Sequence, residues 1–454
     1  MTLSANYGDL IEDDRISGRV YCDPDIFRDE LDKIWSRQWV YVAHESEVPQ
    51  AGDFVTRQIG LQPVIVSRDA EGNVNLLLNR CMHRGNTVCQ SDRGNARSFR
   101  CAYHGWTYDN RGELTGIPYA GGYDETFCKS DYNLARVPRV ATHRGLIFAS
   151  LSPIGPSLDE HLGHAKRLID QFVDLAPEGE IIVRAGVLKH SYRGNWKMAL
   201  ENSVDGYHPN ILHHAAMVMM MKGRNDMESV FGERSDALAR DLGNGHAQLD
   251  LNPVHARNGG RIVTPGWSKQ ADAEYRAAME RHYGAARAEK ILAEGPPHFC
   301  IFPNLIFILN QFRVIQPISV DQTIVAYFPT MLKGAPAEIN QRRLTETYVI
   351  HGPAGRVAPD DFEAYERNQV GFQARVNEWL VLRRGLHREV KEDGTVAGRE
   401  TDETTQRGIW RHYREVMQGR QQPGSKQGEA AIGAEILVKG DRIANPQPLH
   451  HHKA

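Results

Sequence analysis

Cys81-Met82-His83-Arg84-Gly85 is answered, across seventeen residues between His83 and Cys101, by Cys101-Ala102-Tyr103-His104-Gly105-Trp106. The pattern is C-x-H-x17-C-x2-H. Two thiolates and two imidazoles suit either zinc or a [2Fe–2S] cluster of mixed ligation. Zinc fingers usually draw their cysteines from one loop and their histidines from another. Here each loop supplies one of each, which lets one iron take both thiolates and the other both imidazoles. Histidine ligation would raise the potential to roughly −150 to +300 mV, against about −400 mV for all-cysteine plant-type clusters. Gly85 and Gly105 mark tight turns, whose N–H groups can reach and tune the sulfurs.

Around these loops the sequence has a β texture. Short runs at Trp39–Ala43, Pro63–Val66, Val74–Leu78 and Gly145–Ala149 are separated by turn residues such as Asp109-Asn110-Arg111-Gly112. Residues 38–156 therefore read as a small all-β domain. Residues 1–37, with an amphipathic helix over Ile26–Trp35, and 157–418 read as a larger α+β domain. Its helical stretches are Leu158–Phe172, Trp196–Tyr207, Ala271–Glu294 and Asp361–Leu382. Its strand runs are Ile181–Leu188, Phe299–Ile318 and Thr323–Phe328. Residues 215–262 have weak periodicity and read as a lid, a binding loop or disorder. Met217, Met219, Met220 and Met221 there suit core packing or a pliable wall. The tail 419–454 is polar and Gly-rich apart from Ile432–Val438, and His450-His451-His452 receives no function.

The larger domain holds a second constellation, Glu201-Asn202-Ser203-Val204-Asp205-Gly206-Tyr207-His208, followed by His213 and His214. Its core is D-x2-H-x4-H. Histidines five apart diverge by about 140° on an ideal helix. Pro209 directly after His208 favours a break that brings His208 and His213 to one metal. A lone histidine pair is more often structural; were it to hold Fe(II), a carboxylate would have to complete a two-histidine facial triad. The candidate is Pro359-Asp360-Asp361-Phe362-Glu363, where a proline start and first-turn acids also suit helix capping.

Cys-Met-His-Arg-Gly with Cys-Ala-Tyr-His-Gly-Trp-Thr-Tyr closely resembles the cluster loops of Rieske non-haem iron aromatic-ring-hydroxylating oxygenases, in their large (alpha) subunit. Rieske proteins of respiratory complexes carry an extra cysteine in each loop, where this chain has Asn86 and Trp106. Cys89 is displaced and reads as a small buried thiol. Gly194-Asn195-Trp196-Lys197 through Glu201-Asn202 resembles the iron helix of the same family. The resemblance spans roughly residues 15–418. It implies a Rieske [2Fe–2S] domain and a catalytic domain of the helix-grip type with an antiparallel sheet. It implies Cys81, His83, Cys101 and His104 as cluster ligands. His208, His213 and Asp361 follow as ligands of a mononuclear Fe(II), with Asp360 the alternative to Asp361. It also implies a ring of subunits, a homotrimer or an α3β3 hexamer with a small β subunit. In such a ring Asp205 matches a carboxylate that joins a cluster histidine, His104, to His208 across the interface. On residues alone, Asp205 is equally an ordinary helix-surface acid.

The implied activity is addition of O2 to an aromatic ring, cis-dihydroxylation first and monohydroxylation as the alternative. A Rieske electron carrier and a zinc-stabilised binding protein are the other classes. The Pro-Asp-Asp-Phe-Glu run and Gly408–Met417 resemble the benzoate, anthranilate and salicylate group. An aromatic carboxylate would need a buried cation or donors. In Asn310-Gln311-Phe312-Arg313, polar residues interrupt an apolar run, and Asn310 and Arg313 are the candidate substrate residues; surface-facing side chains are the plainer reading. Gly243-Asn244-Gly245-His246 begins a dinucleotide fingerprint but lacks its third glycine. Electrons would then come from a separate NAD(P)H reductase, with or without a ferredoxin. A net charge of −3 favours neither nucleic acid nor membrane as partner. The acidic start without an apolar core and six sparse cysteines read as a cytoplasmic protein.

Overall fold

The computed structural model describes residues 6–220, 232–257 and 266–419. Met221 and the tail, including Ile432–Val438 and His450–His452, lie outside them. The part up to residue 420 packs as one compact unit, with no helix among the described residues long and apolar enough to cross a membrane.

Three small antiparallel sheets build the first part. One has Val40–His44 beside Leu146–Ser150 and Arg139–His143; a second has Val74–Leu78, Gln62–Arg68, Asp53–Ile59 and Arg93–Asn95. The third, Ser98–Arg100, Thr107–Asp109 and Leu114–Gly116, presents the second cysteine–histidine loop as the connection of its first hairpin. Alternation on these strands sends Val64, Val66 and Leu76 into one core and Ile65 and Leu77 into another, all almost wholly buried.

A nine-stranded antiparallel sheet organises the rest. Its spatial order is Leu188–Tyr192, Gln322–Pro329, Gln311–Ser319, Leu305–Ile308, His298–Ile301, His246–Asp250, Leu238–Gly243, Thr395–Arg399 and Val390–Glu392. Helices Trp196–Asn202, Ala358–Gly371 and Thr404–Met417 lie against it. The two faces of Gln311–Ser319 serve two cores. Phe312 joins Phe299, Phe307 and Phe328 on one side, whereas Ile315 joins Ile306, Val325 and Tyr327 on the other.

Several long sequence elements are interrupted. The amphipathic helix splits into Pro24–Glu30 and a π-helical turn, Leu31–Trp35. Leu158–Phe172 breaks at Gly163, and Ala271–Glu294 at Gly284, where φ is +79°. Ile181–Leu188 is two separate strands, Ile181–Ile182 and Leu188–Tyr192, in different sheets. Phe299–Ile318 is a three-strand meander. The last helix read from sequence stops at Gly371, and Trp379–Val381 is a strand instead. Of the segment 215–262, residues 221–231 and 258–262 lie outside the described residues; in the rest the expectation of an irregular segment fails at Leu238–Gly243 and His246–Asp250, which are central strands. The fingerprint-like Gly243-Asn244-Gly245 is their hairpin turn, with positive φ at all three residues.

Candidate metal centres

The two cysteine–histidine loops fold to one plan. Cys81 N–H donates to the Asn86 carbonyl and Cys101 N–H to the Trp106 carbonyl, both at 2.8 Å. Gly85 N–H returns to Cys81 O and Gly105 N–H to Cys101 O, both at 2.9 Å. Each turn needs positive φ, +75° at Gly85 and +71° at Gly105, which glycine adopts without strain. The thiols are buried, while His83 and His104 stand half-buried at the surface end, their rings 4.5 Å apart. Trp106 stacks on His83 at 5.1 Å and 7°, which fixes the ring plane. The extra cysteine of respiratory proteins is thus replaced at this position by a flat wall.

The surroundings favour ligand protonation states. Burial opposes ionisation of the Cys101 thiol, but N–H groups of Tyr103 and His104, with Cys81 and Asn86, outweigh it and lower its pKa. Burial, then the neighbouring His104 and Arg84, lower the pKa of His83, so its imidazole stays neutral. Tyr108 Oη lies 3.3 Å from Cys81 Sγ and accepts from Met82 N–H at 3.1 Å; Asn86 Nδ2 approaches Cys101 Sγ at 3.8 Å. Among the described residues, no three of Cys81, His83, Cys101 and His104 bring donor atoms within 4.8 Å of one another. A single tetrahedral zinc, with bonds of about 2.0–2.3 Å, would need that closeness. The donors fit a dinuclear cluster that separates thiolates from imidazoles. Cys89, at 8% exposure, is a buried thiol packed in the adjoining core and points to the Ser91 carbonyl.

The second centre is built at a helix break. Helix Trp196–Asn202 starts at Asn195, whose side chain caps Lys197 N–H, and ends six residues before His208. His208 caps the single turn Pro209–Leu212, and His213 closes it. The turn rotates the two imidazoles together, with ring centroids 5.1 Å apart. Helix Ala358–Gly371 opens with Pro359 and delivers Asp361 from its first turn. His208, His213 and Asp361 are the one group of three such side chains, among the described residues, whose ligand atoms lie within 4.8 Å.

The contacts separate the two aspartates. Asp361 Oδ1 is 3.0 Å from His213 Nε2 and 3.7 Å from His208 Nε2. Yet His213 Nε2 forms no hydrogen bond of acceptable geometry although it is buried, as expected of atoms aimed at a common third point. Asp360 instead meets the other ring nitrogen, His213 Nδ1, at 3.2 Å and is half-exposed. Asn202, quoted from sequence only as a flank, donates to Asp361 Oδ1 at 3.3 Å. Two imidazoles and one carboxylate with open faces suit Fe(II).

Asp205 lies 3.7 Å from His208 Nδ1 and accepts from Tyr207 N–H at 2.6 Å. No hydrogen bond, ion pair or ring contact among the described residues links His83 or His104 to Asp205, His208 or His213. Behind the helix, Glu201 is partly buried between Tyr21 Oη (2.6 Å) and Trp410 Nε1 (2.9 Å), and burial raises its pKa to about 7.

Of the substrate candidates, Arg313 is 5% exposed, which overturns the surface-facing reading for it. Asn310 is spent on Glu346, to which its amide donates at 2.7 Å. Sequence reasoning missed His190, His351 and Gln311, which gather around Arg313. The signal for Gln311 was present, since residues 311 and 313 share a face by strand alternation.

A buried thiolate–imidazole cluster site and a two-histidine, one-carboxylate iron site on one chain define a Rieske-type oxygenase, an oxidoreductase. A family profile described as "Rieske [2Fe-2S] domain" matches residues 38–135, and one described as "Ring hydroxylating alpha subunit (catalytic domain)" matches 179–419. The chain belongs to the ring-hydroxylating oxygenase alpha subunits, which hold a [2Fe–2S] cluster and a mononuclear iron. It is 33% identical to the anthranilate 1,2-dioxygenase large subunit of Acinetobacter baylyi, over 82% of this chain and 80% of that one. It is 32% identical to the toluate 1,2-dioxygenase subunit alpha of Pseudomonas putida, over 82% of this chain and 84% of that one. Naphthalene 1,2-dioxygenase from Rhodococcus sp., solved with indole bound, superposes with a TM-score of 0.77 at 26% identity, covering 89% of this chain and 95% of that one.

Proposed function

We propose that this chain is the terminal oxygenase alpha subunit of a multicomponent dioxygenase acting on an aromatic acid. The observation that carries it is the convergence of His208, His213 and Asp361 in a chain that also carries the cluster loops. Cys81, Cys101, His83 and His104 would hold the cluster; His208, His213 and Asp361 would hold Fe(II). When bound, the cluster supplies single electrons and the iron supplies the O2-activating centre. The net reaction takes one arene, one O2, two electrons and two protons to a cis-dihydrodiol. The electrons come from NAD(P)H through a separate reductase, with or without a ferredoxin, in the cytoplasm.

In this reading residues 38–156 form the Rieske domain, and 1–37 with 157–418 the catalytic domain. The surface position of the two cluster histidines, and the lack of a hydrogen bond, ion pair or ring contact from them to Asp205 or His208 among the described residues, support transfer between neighbours in a ring. That ring is a trimer, alone or as α3β3 with a small β subunit. Asp205 would accept N–H from His104 of one subunit and His208 of the next, fixing both tautomers. Within each catalytic site, Asp360 orients His213 and Asn202 steadies Asp361.

The test supplies a reductase and NADH and follows O2 uptake with benzoate, anthranilate, salicylate and neutral arenes under 18O2. Substrate-dependent uptake with two 18O atoms in the product is expected. A single labelled atom would make the protein a monooxygenase, and no substrate-dependent uptake from protein with both metals loaded would overturn the reading.

A further inference from the structure

Arg313 is a buried cation without a counter-charge. No ion pair joins it to a carboxylate among the described residues; Arg407, also buried, has Glu389, and Arg343, buried without an ion pair, donates instead to the carbonyl and hydroxyl of Thr330. Its partners are neutral: Nη2 lies 3.0 Å from His351 Nδ1, the guanidinium sits 4.8 Å over the Tyr327 ring, and Nε has no hydrogen-bond partner. Burial holds the pKa of His351 well below its ordinary value, and the charge on Arg313 adds to this, so His351 accepts rather than donates. A buried charge without a partner costs several kcal/mol, roughly, and persists where something else repays it.

The neighbouring side chains share the deficit. Gln311 is fully buried, and neither its amide nitrogen nor its oxygen has a partner. His190 Nε2 is buried and equally unpartnered. Register puts them on one face. Arg313 pairs with Tyr327 and Ile306, and His190 pairs with Val325, two residues from Tyr327. That face looks onto the helix that delivers Asp361: Phe362, the next residue, meets His190 at 5.1 Å and Tyr192 at 5.5 Å. The face therefore offers one cation, an amide free at both ends and aromatic walls beside the iron donors.

We infer that Arg313, seated on His351, is the anchor for the carboxylate of an aromatic acid, and that the amide of Gln311 reads a polar substituent on the same ring. This rests on the oxygenase reading and deepens it. A guanidinium fork matches a carboxylate in two parallel bonds. The carboxylate supplies the missing counter-charge, and the ring then extends along Tyr327 and Phe362 toward the metal ligands. An acid is bound here because it repairs an electrostatic fault, which a neutral arene cannot do.

The experiment is thermal melting and titration calorimetry of the iron-loaded protein with benzoate and anthranilate, and with benzamide as the neutral isostere. Wild type is expected to bind the acids at least about tenfold more tightly than the amide, the scale of one charged hydrogen bond, and to melt higher with them. Arg313→Met is expected to lose that preference while melting no lower than wild type without ligand, because a buried unpaired charge has been removed. Arg313→Lys keeps the charge but not the fork and should fall between them. Gln311→Leu should bind benzoate normally and anthranilate more weakly. Acids binding wild type no better than benzamide would overturn the inference, as would an acid preference that survives in Arg313→Met. These are binding readouts. If they hold while O2 uptake fails, the oxygenase reading alone has failed; if turnover occurs without acid preference, the anchor alone has failed.

Discussion

Two adjacent aspartates face different imidazole nitrogens. Asp361 faces the Nε2 atoms of both histidines, whereas Asp360 meets His213 Nδ1. A ligand and a group that orients a ligand have different losses. Asp361→Ala is expected to abolish mononuclear iron binding while the visible spectrum of the cluster is unchanged. Asp360→Asn should keep the iron but weaken its binding about tenfold, the usual cost of removing such an outer partner. Iron analysis after dialysis against a mild chelator checks both, and equal iron loss in the two variants would return Asp360 to the ligand set. Burial separates the pair in the same direction: Asp361 is 4% exposed and Asp360 is at the surface.

The element that holds the iron site is the short helix Trp196–Asn202, and it is too short to be stable by itself. Glu30, on the helix Pro24–Glu30, accepts from Trp196 Nε1 at 2.8 Å, Lys197 Nζ at 2.5 Å and Tyr413 Oη at 2.5 Å. Lys197 and Glu30 are both buried, so removing one leaves the other charged without compensation. Glu30→Ala should cost about 3–5 kcal/mol, read as a lower denaturant midpoint, with loss of mononuclear iron before loss of the cluster. Such long-range ties explain what was legible in the sequence. Cys81, His83, Cys101 and His104 stood out because their chemistry is local, and D-x2-H-x4-H with Pro209 was readable because a proline announces its break. Glu30, Asn202 and His351 were not readable, because their partners lie far along the chain. Val74–Leu78 was read to the residue from its bounding turns, whereas Leu238–Gly243 and His246–Asp250 were missed because strands buried by neighbours on both sides need no strict alternation.

At the scale of the whole molecule, electrons must reach iron from a cluster whose histidines have no hydrogen bond, ion pair or ring contact to Asp205, His208 or His213 among the described residues. Co-production of two defective forms tests the route. Asp205→Ala keeps a working cluster, and Cys101→Ser keeps Asp205 and its iron site; neither alone should turn over at more than about 1% of wild type, given the losses typical of removing metal-coupling partners. Mixed rings should recover activity where a sound cluster faces a sound iron site on its neighbour, and an inactive mixture of assembled rings would make the route internal. The same packed body carries a liability in acid. His161, His246 and His412 are buried together, with His161 and His246 rings 4.8 Å apart and His412 edge-on to Phe302 at 5.1 Å. Burial lowers the pKa of His246 to about 4 and of His412 to about 3, and holds His161 well below its usual value. The unfolded chain, with histidines near about 6.5, then binds more protons than the folded one below that pH. Stability is full above about 6.5 and falls by about 1.4 kcal/mol per pH unit for each such group as pH drops toward the folded values. Neither ring nitrogen of His412 has a hydrogen-bond partner, so a phenyl ring can replace it without stranding a polar group. His412→Phe should therefore match wild type in urea midpoint at pH 7.5 and exceed it progressively from pH 6 to pH 4, the slope against pH being shallower by one proton. A parallel pair of profiles would mean that His412 is protonated in the fold.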